Sequence, residues 1–251
     1  MARTSIVVGG LIIVTVAATT WVTSMVLPAK ADTVVSAPLV WQSTTWCPTY
    51  RAGNGCDDVQ QSGTNSSAPF YPSQVTNTGS SNYILLKMNS AASETGAINT
   101  QQHETWSAPA TLSEQIYLPC NIFGQIENWP AFWLVTTGSW PSGGEIDVME
   151  GLHGSAAWHY HYLSSSGVYS SVGGAASGFS GCGTHTYTVN WATSAITFYY
   201  DGAQVGRVTP SEIGVPIAAG PMYVINDYAA SSTYGGPTTG GVNMEIQRFA
   251  P

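Results

Sequence analysis

The chain is a succession of short β-rich segments separated by turns, and this pattern restricts the fold more than any other feature. Segments rich in Val, Ile, Thr and aromatic residues recur about every ten residues between Tyr83 and Phe249. No long amphipathic helix interrupts them, and Asp201-Gly202 between two such segments indicates a hairpin. The Gly- and Ser-rich stretch between Leu163 and Thr186 is interpreted as a loop. The sequence therefore predicts an all-β sandwich or barrel.

Residues 1–31 have the pattern of a secretory signal peptide. Arg3 precedes an apolar stretch from Ile6 to Leu27, and Ala29-Lys30-Ala31 forms a small-residue cleavage site. The mature chain would then comprise residues 32–251, a length that suits one domain. An uncleaved membrane anchor is the alternative interpretation of the apolar stretch. We expect the protein to be secreted and extracellular, with no membrane contact after cleavage.

The charge distribution favours a neutral partner. Outside the signal peptide the bases are Arg51, Lys87, Arg207 and Arg248, which are scattered among fourteen acids. Nucleic acids and anionic lipids require clustered cations, so neither is an expected partner. Nine tryptophans and thirteen tyrosines provide rings that can lie against the apolar faces of sugars. We expect a monomer that uses no cofactor.

Four cysteines in an exported chain favour disulfides over metal ligands. Three pairings are possible. The short loop around Gly53-Asn54-Gly55 favours Cys47 with Cys56, which leaves Cys120 with Cys182. No C-x-x-C spacing suggests zinc, and we predict no metal site.

The segment from Glu145 to Glu150 concentrates three carboxylates in a chain with only 8% charged residues. Apolar residues between the acids predict a strand, whose side chains point alternately to opposite faces. Glu145 and Asp147 therefore share one face, whereas strict alternation places Glu150 on the apolar face. An unpaired carboxylate there would cost several kcal/mol. A β-bulge, one extra residue near Val148 or Met149, would return Glu150 to the face of Glu145.

A bulge of this kind would place two carboxyl groups within reach of one substrate bond. The carboxyl groups of Glu145 and Glu150 would then lie about 5 to 5.5 Å apart, the separation expected of a retaining glycosidase. An acidic edge strand and a calcium loop are the alternatives, although calcium ligands usually come from loops with several acids or carbonyls.

Glu145-Ile146-Asp147-Val148-Met149-Glu150 resembles the E-x-D-x-x-E signature of glycoside hydrolase family 16, in the laminarinase-like branch that carries the bulge. The resemblance covers roughly residues 80 to 250 through further blocks: Asn128–Trp133, Gly183–Tyr187 with Trp191, Phe198–Gly202 and Gly220–Tyr223. It implies a concanavalin A-like bent β-sandwich, or jelly roll, with a cleft on the concave sheet. It also implies that residues 32–251 are a catalytic domain for endo-hydrolysis of β-glucans or related galactans.

Two segments depart from the family pattern. Gln115-Ile116 replaces the Ala-Arg that usually follows the glutamate at position 114, and Glu245–Arg248 differs from the usual Asp-Tyr-Val-Arg. Both segments are interpreted as structural, so the departures leave the fold prediction intact and the substrate details open.

The order of the family signature assigns the catalytic roles. By resemblance, Glu145 is the nucleophile and Glu150 the acid/base, while Asp147 orients the nucleophile through a hydrogen bond. A purely structural hydrogen bond is the alternative for Asp147. His159 and His161 share a face of the following strand, and one of them is expected to reach the catalytic pair. Together with His153 they also form an alternative metal site.

The remaining candidates for substrate binding are aromatic residues and an amide. Trp133 is expected to lie under a sugar ring by resemblance, and Trp129 and Trp140 flank the acids in the sequence. Core packing is the alternative for any tryptophan. Asn226 and Asp227 lie near the end of a strand that borders the cleft in the family, and are candidates to hydrogen-bond sugar hydroxyls.

These observations predict a secreted retaining endo-glycosidase that acts on a β-linked glucan, with β-1,3-glucan of the laminarin type as the favoured polysaccharide. A transglycosylase that remodels wall glycans would use the same residues. A non-catalytic glycan-binding lectin on the same fold is the alternative from another class, although a binding module does not need paired carboxylates.

Overall fold

The computed structural model describes residues 33–34, 38–50, 56, 61–63, 65–79 and 81–251. The predicted signal peptide lies outside the described residues. Among the residues that are described, none of the helices has the length and apolarity needed to span a bilayer.

The described part of the chain is almost entirely β-structure, with one 3₁₀ turn at Pro72–Gln74 and one short helix, α1, at Pro210–Ile213. The strands are β1 (Thr33–Val34), β2 (Leu39–Trp41), β3 (Thr44–Trp46), β4 (Val75–Asn77), β5 (Ile84–Lys87), β6 (Ala97–Asn99), β7 (Ala110–Leu118), β8 (Trp129–Thr136), β9 (Glu145–Leu152), β10 (Ser155–Leu163), β11 (Tyr169–Ala175), β12 (Gly183–Ala192), β13 (Ala195–Tyr200), β14 (Ala203–Val208), β15 (Met222–Ala229) and β16 (Asn243–Ala250).

The strands form two large antiparallel sheets and a small hairpin. The eight-stranded sheet has the order β1-β4-β5-β16-β7-β12-β13-β14, and the six-stranded sheet has the order β11-β10-β9-β8-β15-β6. Strands β2 and β3 pair with each other. The hairpin predicted at Asp201-Gly202 joins β13 to β14, and both turn residues have positive φ, as a tight two-residue turn requires.

The main hydrophobic core lies between the two large sheets. Alternate residues of the six-stranded sheet, among them Phe132, Ile146 and Tyr160, contribute to this core. Leu112 and Trp191 contribute from the eight-stranded sheet. The all-β sandwich is therefore confirmed, and the other face of the six-stranded sheet is left for the site.

A second, smaller apolar cluster lies on that other face. Tyr50 and Phe70, from the segment before β4, stack in parallel at 4.6 Å and pack against residues of β8 and β15. The disulfide between Cys47 and Cys56 brackets Tyr50 in the sequence. Both predicted disulfides are present, the second joining Cys120 to Cys182.

The loop interpretation of the Gly/Ser stretch after Leu163 is wrong in part. Tyr169–Ala175 forms β11, the edge strand of the six-stranded sheet, and its residues Gly173 and Gly174 pair with β10. A Cβ atom at Gly173 would lie 2.5 Å from the His159 ring, so this glycine, which weakens the strand signal, also allows the close packing.

Glu114 of β7 and Asn226 of β15 form a polar bridge across the core, and neither residue is exposed to solvent. The Asn226 amide donates to Glu114 Oε1 at 2.9 Å, whereas Oε2 has no hydrogen-bond partner among the described residues. Burial raises the pKa of the Glu114 carboxyl to about 8, although the hydrogen bond from Asn226 opposes the rise. Glu114 is therefore largely protonated at neutral pH.

This buried carboxyl is expected to make the fold less stable as pH rises. The pKa of Glu114 in the folded protein exceeds the ordinary value of 4.5. The contribution of the neutral carboxyl group to the free energy of unfolding is therefore complete below about pH 4.5 and is lost as pH rises through about 8. At roughly 1.4 kcal/mol per pKa unit, the loss amounts to a few kcal/mol. Glu114→Gln keeps an acceptor for Asn226 and cannot ionise, so it should raise the urea midpoint at pH 9 and change it little at pH 5.

Glu245→Gln is the matched control, because Glu245 is a half-buried glutamate of β16 that bonds to the Gln247 side chain. It should keep the wild-type dependence of the urea midpoint on pH. The same dependence in Glu114→Gln would contradict the assignment to Glu114.

Candidate active site

A β-bulge in β9 turns the three acids to one face of the six-stranded sheet. Successive residues of β8 pair with Met149 and then with Asp147, so Val148 is the extra residue. On the other side, the pairs made by Glu150 and Asp147 are separated by one residue of β10 and two of β9. The predicted bulge is confirmed, and it places Glu145 and Glu150 beside Asp147 while Val148 and Met149 enter the core.

The three acids line a cleft of about 400 Å³ on the outer face of the sheet. Asp147 is 6% exposed, while the side chains of Glu145 and Glu150 are 16% and 13% exposed. The walls of the cleft are largely aromatic: Tyr50, Phe70, Trp129, Trp133, Trp140, Tyr169 and Tyr234. All three tryptophans predicted to bind substrate therefore lie in the cleft.

Both histidines of β10 reach the acids, although only one was expected to do so. Nδ1 of His159 lies 3.1 Å from Glu150 Oε2. Nε2 of His161 lies 2.7 Å from Asp147 Oδ2 and 3.8 Å from Glu145 Oε1. Each histidine thus contacts acids at a different end of the acidic segment.

His161 carries a positive charge in this setting. Burial lowers the pKa of its imidazole, but the hydrogen bond and the charge of Asp147 outweigh burial, and the charge of Glu145 adds to them, so that the pKa rises to about 10. Burial also raises the pKa of Asp147, against the hydrogen bond from His161. The two groups titrate as a pair, and the imidazolium offsets the negative charge around Glu145.

The cleft tryptophans hold carboxylates as well as forming the walls. Trp129 donates its indole N–H to Glu150 Oε1 at 2.8 Å, and its ring stacks on Tyr234 at 5.3 Å. Trp133 donates to Asp227 Oδ2 at 2.8 Å. Burial raises the pKa of Asp227 to about 7, against the hydrogen bond from Trp133. Asp227 is thus a fourth carboxyl group in the cleft.

Trp140 and Tyr169 form the rim of the cleft at the end where Glu145 lies. Trp140 is 51% exposed, and its ring lies 5.2 Å from that of Tyr169. The Tyr169 hydroxyl lies 2.7 Å from Nδ1 of His161. With His161 protonated, Nδ1–H donates to this hydroxyl.

The predicted role of Asn226 in sugar binding is wrong. Asn226 pairs with Phe132, a core residue, and its amide is fully buried against Glu114 of the opposite sheet. Neighbouring residues of a strand face opposite sides, so Asp227 is the one that enters the cleft.

Two sets of potential ligand atoms in the cleft are close enough together to coordinate a metal ion. The sets are Glu145, Asp147 and His161, and Asp147, Glu150 and His159, each with its atoms within 4.8 Å of one another. In the first set, Nε2 of His161 and Oδ2 of Asp147 already contact each other at 2.7 Å. In the second set, Nδ1 of His159 and Oε2 of Glu150 contact each other at 3.1 Å. His153, the third residue of the alternative metal site, lies in the turn between β9 and β10.

Sequence reasoning missed four aromatic residues of the cleft: Tyr50, Phe70, Tyr169 and Tyr234. Tyr50 and Phe70 belong to the loop-rich segment before β4, and Tyr234 follows β15. Their positions depend on long-range packing that no local pattern encodes. For Tyr169, the only strand signal was weak: Val168, Tyr169 and Val172 within a stretch of small residues.

Comparison with known proteins finds a family model that matches the part of the chain containing the acidic segment. Residues 118–172 match the family model described as the XgeA-like catalytic GH16 domain. Endo-1,3-1,4-beta-glycanase EglC of Rhizobium meliloti (strain 1021) is 33% identical over 126 residues, which are 47% of this chain and 25% of the relative. ExsH, an endo-1,3-1,4-beta-glycanase of the same strain, is 31% identical over 123 residues with the same coverage. The match thus spans about a quarter of the length of these relatives.

Solved structures share the fold at low sequence identity. The Bacteroides ovatus mixed linkage glucan PUL (MLGUL) GH16, in complex with a G4G4G3G product, has a TM-score of 0.63 at 19% identity, over 82% of this chain and 94% of that one. LamAcat from Zobellia galactanivorans has a TM-score of 0.59 at 20% identity, over 81% of this chain and 89% of that one. These likenesses agree with the jelly-roll sandwich predicted from the sequence.

Proposed function

We propose that the chain is a retaining endo-β-glucanase of glycoside hydrolase family 16. The observation that carries the proposal is the bulge at Val148, which gathers Glu145, Asp147 and Glu150 in one cleft. Aromatic walls and the scarcity of basic residues suit a long neutral polysaccharide.

The reaction proceeds in two displacements at the anomeric carbon. Glu145 attacks this carbon as its bond to the glycosidic oxygen breaks, and Glu150 gives its proton to that oxygen. In the second step Glu150 takes a proton from water, the water oxygen attacks the anomeric carbon, and the bond to Glu145 breaks. Two inversions return the β configuration.

Asp147 and His161 support the nucleophile in this scheme. Asp147 lies beside Glu145 on the same face, and the imidazolium of His161 lies 3.8 Å from Glu145 Oε1. A nearby cation favours the ionised carboxylate that must attack the sugar. Trp133, Trp140 and Trp129 hold the polysaccharide on either side of the scissile bond.

The substrate is a β-linked glucan, with β-1,3-glucan favoured and mixed-linkage β-1,3-1,4-glucan as the principal comparison. The named activity of the two Rhizobium relatives supports testing the mixed-linkage polymer. We further propose that residues 1–31 direct export and that residues 32–251 act as a secreted, monomeric catalytic domain.

A panel of polysaccharides tests the function. Purified protein is incubated with laminarin, mixed-linkage β-glucan, cellulose and agarose, and reducing ends and product sizes are measured over time. An endo-glucanase releases short β-glucan oligosaccharides from early time points. Elongation of glucan oligosaccharides added as acceptors would identify a transglycosylase, whereas binding to laminarin with no new reducing ends would identify a lectin.

A further inference from the structure

Both carboxyl oxygens of Glu150 contact neighbouring side chains, and the two neighbours differ in hydrogen-bonding chemistry. Oε1 accepts the indole N–H of Trp129 at 2.8 Å. Oε2 lies 3.1 Å from Nδ1 of His159. An indole nitrogen can only donate, whereas an imidazole nitrogen donates or accepts. The two sides of the carboxyl group therefore suit different protonation states.

The donor on Oε1 determines where a proton on Glu150 can lie. Because Oε1 is occupied by the Trp129 N–H, the acid form carries its proton on Oε2, and Nδ1 of a neutral His159 accepts it. When Glu150 ionises, the negative charge strengthens the bond from Trp129. Trp129 therefore favours the carboxylate, and His159 favours the acid.

We propose that Trp129 and His159 are positioning residues that balance the two protonation states of Glu150, Trp129 by holding the carboxylate at Oε1 and His159 by holding the proton at Oε2. This inference rests on the proposed function, in which Glu150 serves first as acid and then as base. The proton leaves Oε2 for the glycosidic oxygen as the C–O bond breaks. In the second step, water returns a proton to Oε2 as its oxygen bonds to the anomeric carbon.

The fold holds both neighbours in position. The Trp129 ring stacks on Tyr234, and the His159 ring lies across β11 at Gly173, where a Cβ atom would lie 2.5 Å from the His159 Cδ2 atom. The side chains of His159 and Glu150 are 17% and 13% exposed, so water competes little for the contact between them. His159 is not among the residues that line the cleft.

Other titratable groups surround Glu150 and remain unchanged when Trp129 or His159 is replaced. They are Glu145 and Asp147 on its own strand, His161 on β10, Asp227 on β15 and Tyr200 on β13. All of them act on Glu150 equally in both variants. If the titration midpoint of Glu150 shifts in opposite directions in the Trp129 and His159 variants, the shifts therefore reflect the two direct contacts.

The test is a carboxyl ¹³C NMR titration of Glu150 in the whole protein, assigned by comparison with Glu150→Gln. Trp129→Phe keeps a ring on Tyr234 and removes the N–H, so the titration midpoint of Glu150 should rise. His159→Phe removes the acceptor, so the midpoint should fall. A hydrogen bond of ordinary strength corresponds to a shift of roughly half to one pH unit in each case.

Two variants serve as controls. His159→Asn retains an acceptor oxygen at the δ position and should restore a midpoint near that of the wild type. Trp140→Phe removes an indole from the same cleft without touching the hydrogen bonds of Glu150, and should leave the midpoint unchanged. His159→Leu is a second removal variant if phenylalanine does not fit against Gly173.

Midpoints that move in the same direction, or a rise in His159→Phe, would overturn the inference, because a rise would mean that His159 is a cation paired with a carboxylate. The titration needs no substrate, so it is independent of the proposed function. A wild type with no glucanase activity but with the expected opposite shifts would refute the function alone. In an active enzyme, the alkaline limb of the kcat/KM profile should move with each midpoint.

Discussion

Glu145→Gln is expected to lower kcat on β-glucan by a factor on the order of 10⁴ or more, the scale of effect when an enzyme loses its covalent nucleophile. The amide is nearly the same size as the carboxylate but cannot form the glycosyl ester, so the first displacement stops. Reducing-sugar release from laminarin and mixed-linkage glucan measures the loss.

Folding and binding controls separate this effect from general damage. Glu145→Gln should unfold at a temperature near that of the wild type and should still bind laminarin, because the aromatic walls of the cleft are unchanged. Glu245→Gln, outside the cleft, should keep full turnover. A folded Glu145→Gln enzyme with near wild-type turnover would remove Glu145 from the role of nucleophile.

Glu150→Ala is expected to lower kcat on polysaccharide by about 10²- to 10⁴-fold, because it removes the proton donor and the base together. A substrate with a dinitrophenyl leaving group needs little protonation, so its first displacement should survive and the glycosyl-enzyme should accumulate. Azide is small and needs no base, so it should enter the space left by Glu150 and restore turnover.

The anomeric configuration of the azide product shows which catalytic role was removed by the substitution of Glu150. Attack by azide on the glycosyl-enzyme gives a β-glycosyl azide if Glu150 is the acid/base and Glu145 remains the nucleophile. An α-glycosyl azide from Glu150→Ala would mean that the two roles are exchanged. Glu150→Gln, which fills the space, is the matched control and should show weaker rescue.

The active-site bulge could be predicted from the sequence, because regular strand alternation would bury a carboxylate at high energetic cost. Alternation along 145–150 sends Glu150 into the core, and the cost of burying an unpaired carboxylate there requires an extra residue. The structure places that residue at Val148, within the predicted pair of positions. The parity of His159 and His161 likewise predicted that they share a face, and the structure places both of them beside the acids.

Strand parity alone could not show which of Asn226 and Asp227 faces the cleft. Adjacent residues face opposite sides, but a fully buried strand such as β15 gives no polar alternation to show which side is the core. The pairing of Asn226 with Phe132 settles the question, and it depends on register between distant strands. The buried bridge from Glu114 then explains why an amide occurs at position 226.

Residues that reach the cleft from distant segments could not be predicted from local sequence patterns. Tyr50 and Phe70 lie in a part of the chain rich in Ser, Asn and Gly, and their contact with Trp133 follows from how that segment folds back over the sheet. Tyr169 lies in a stretch whose glycines mask its strand character, yet one of them, Gly173, makes room for His159.

The anomeric configuration of the first product tests the central claim most directly, because it depends on the separation of Glu145 and Glu150. If the bulge leaves no room for water between the carboxylate and the sugar, Glu145 itself must attack, and two inversions preserve the β configuration. Proton NMR of the earliest oligosaccharides released from a β-glucan, before mutarotation, should show the β-anomer. A first-formed α-anomer would require a single displacement by water and carboxyl groups about 6.5 to 9.5 Å apart, in contradiction to the proposed mechanism.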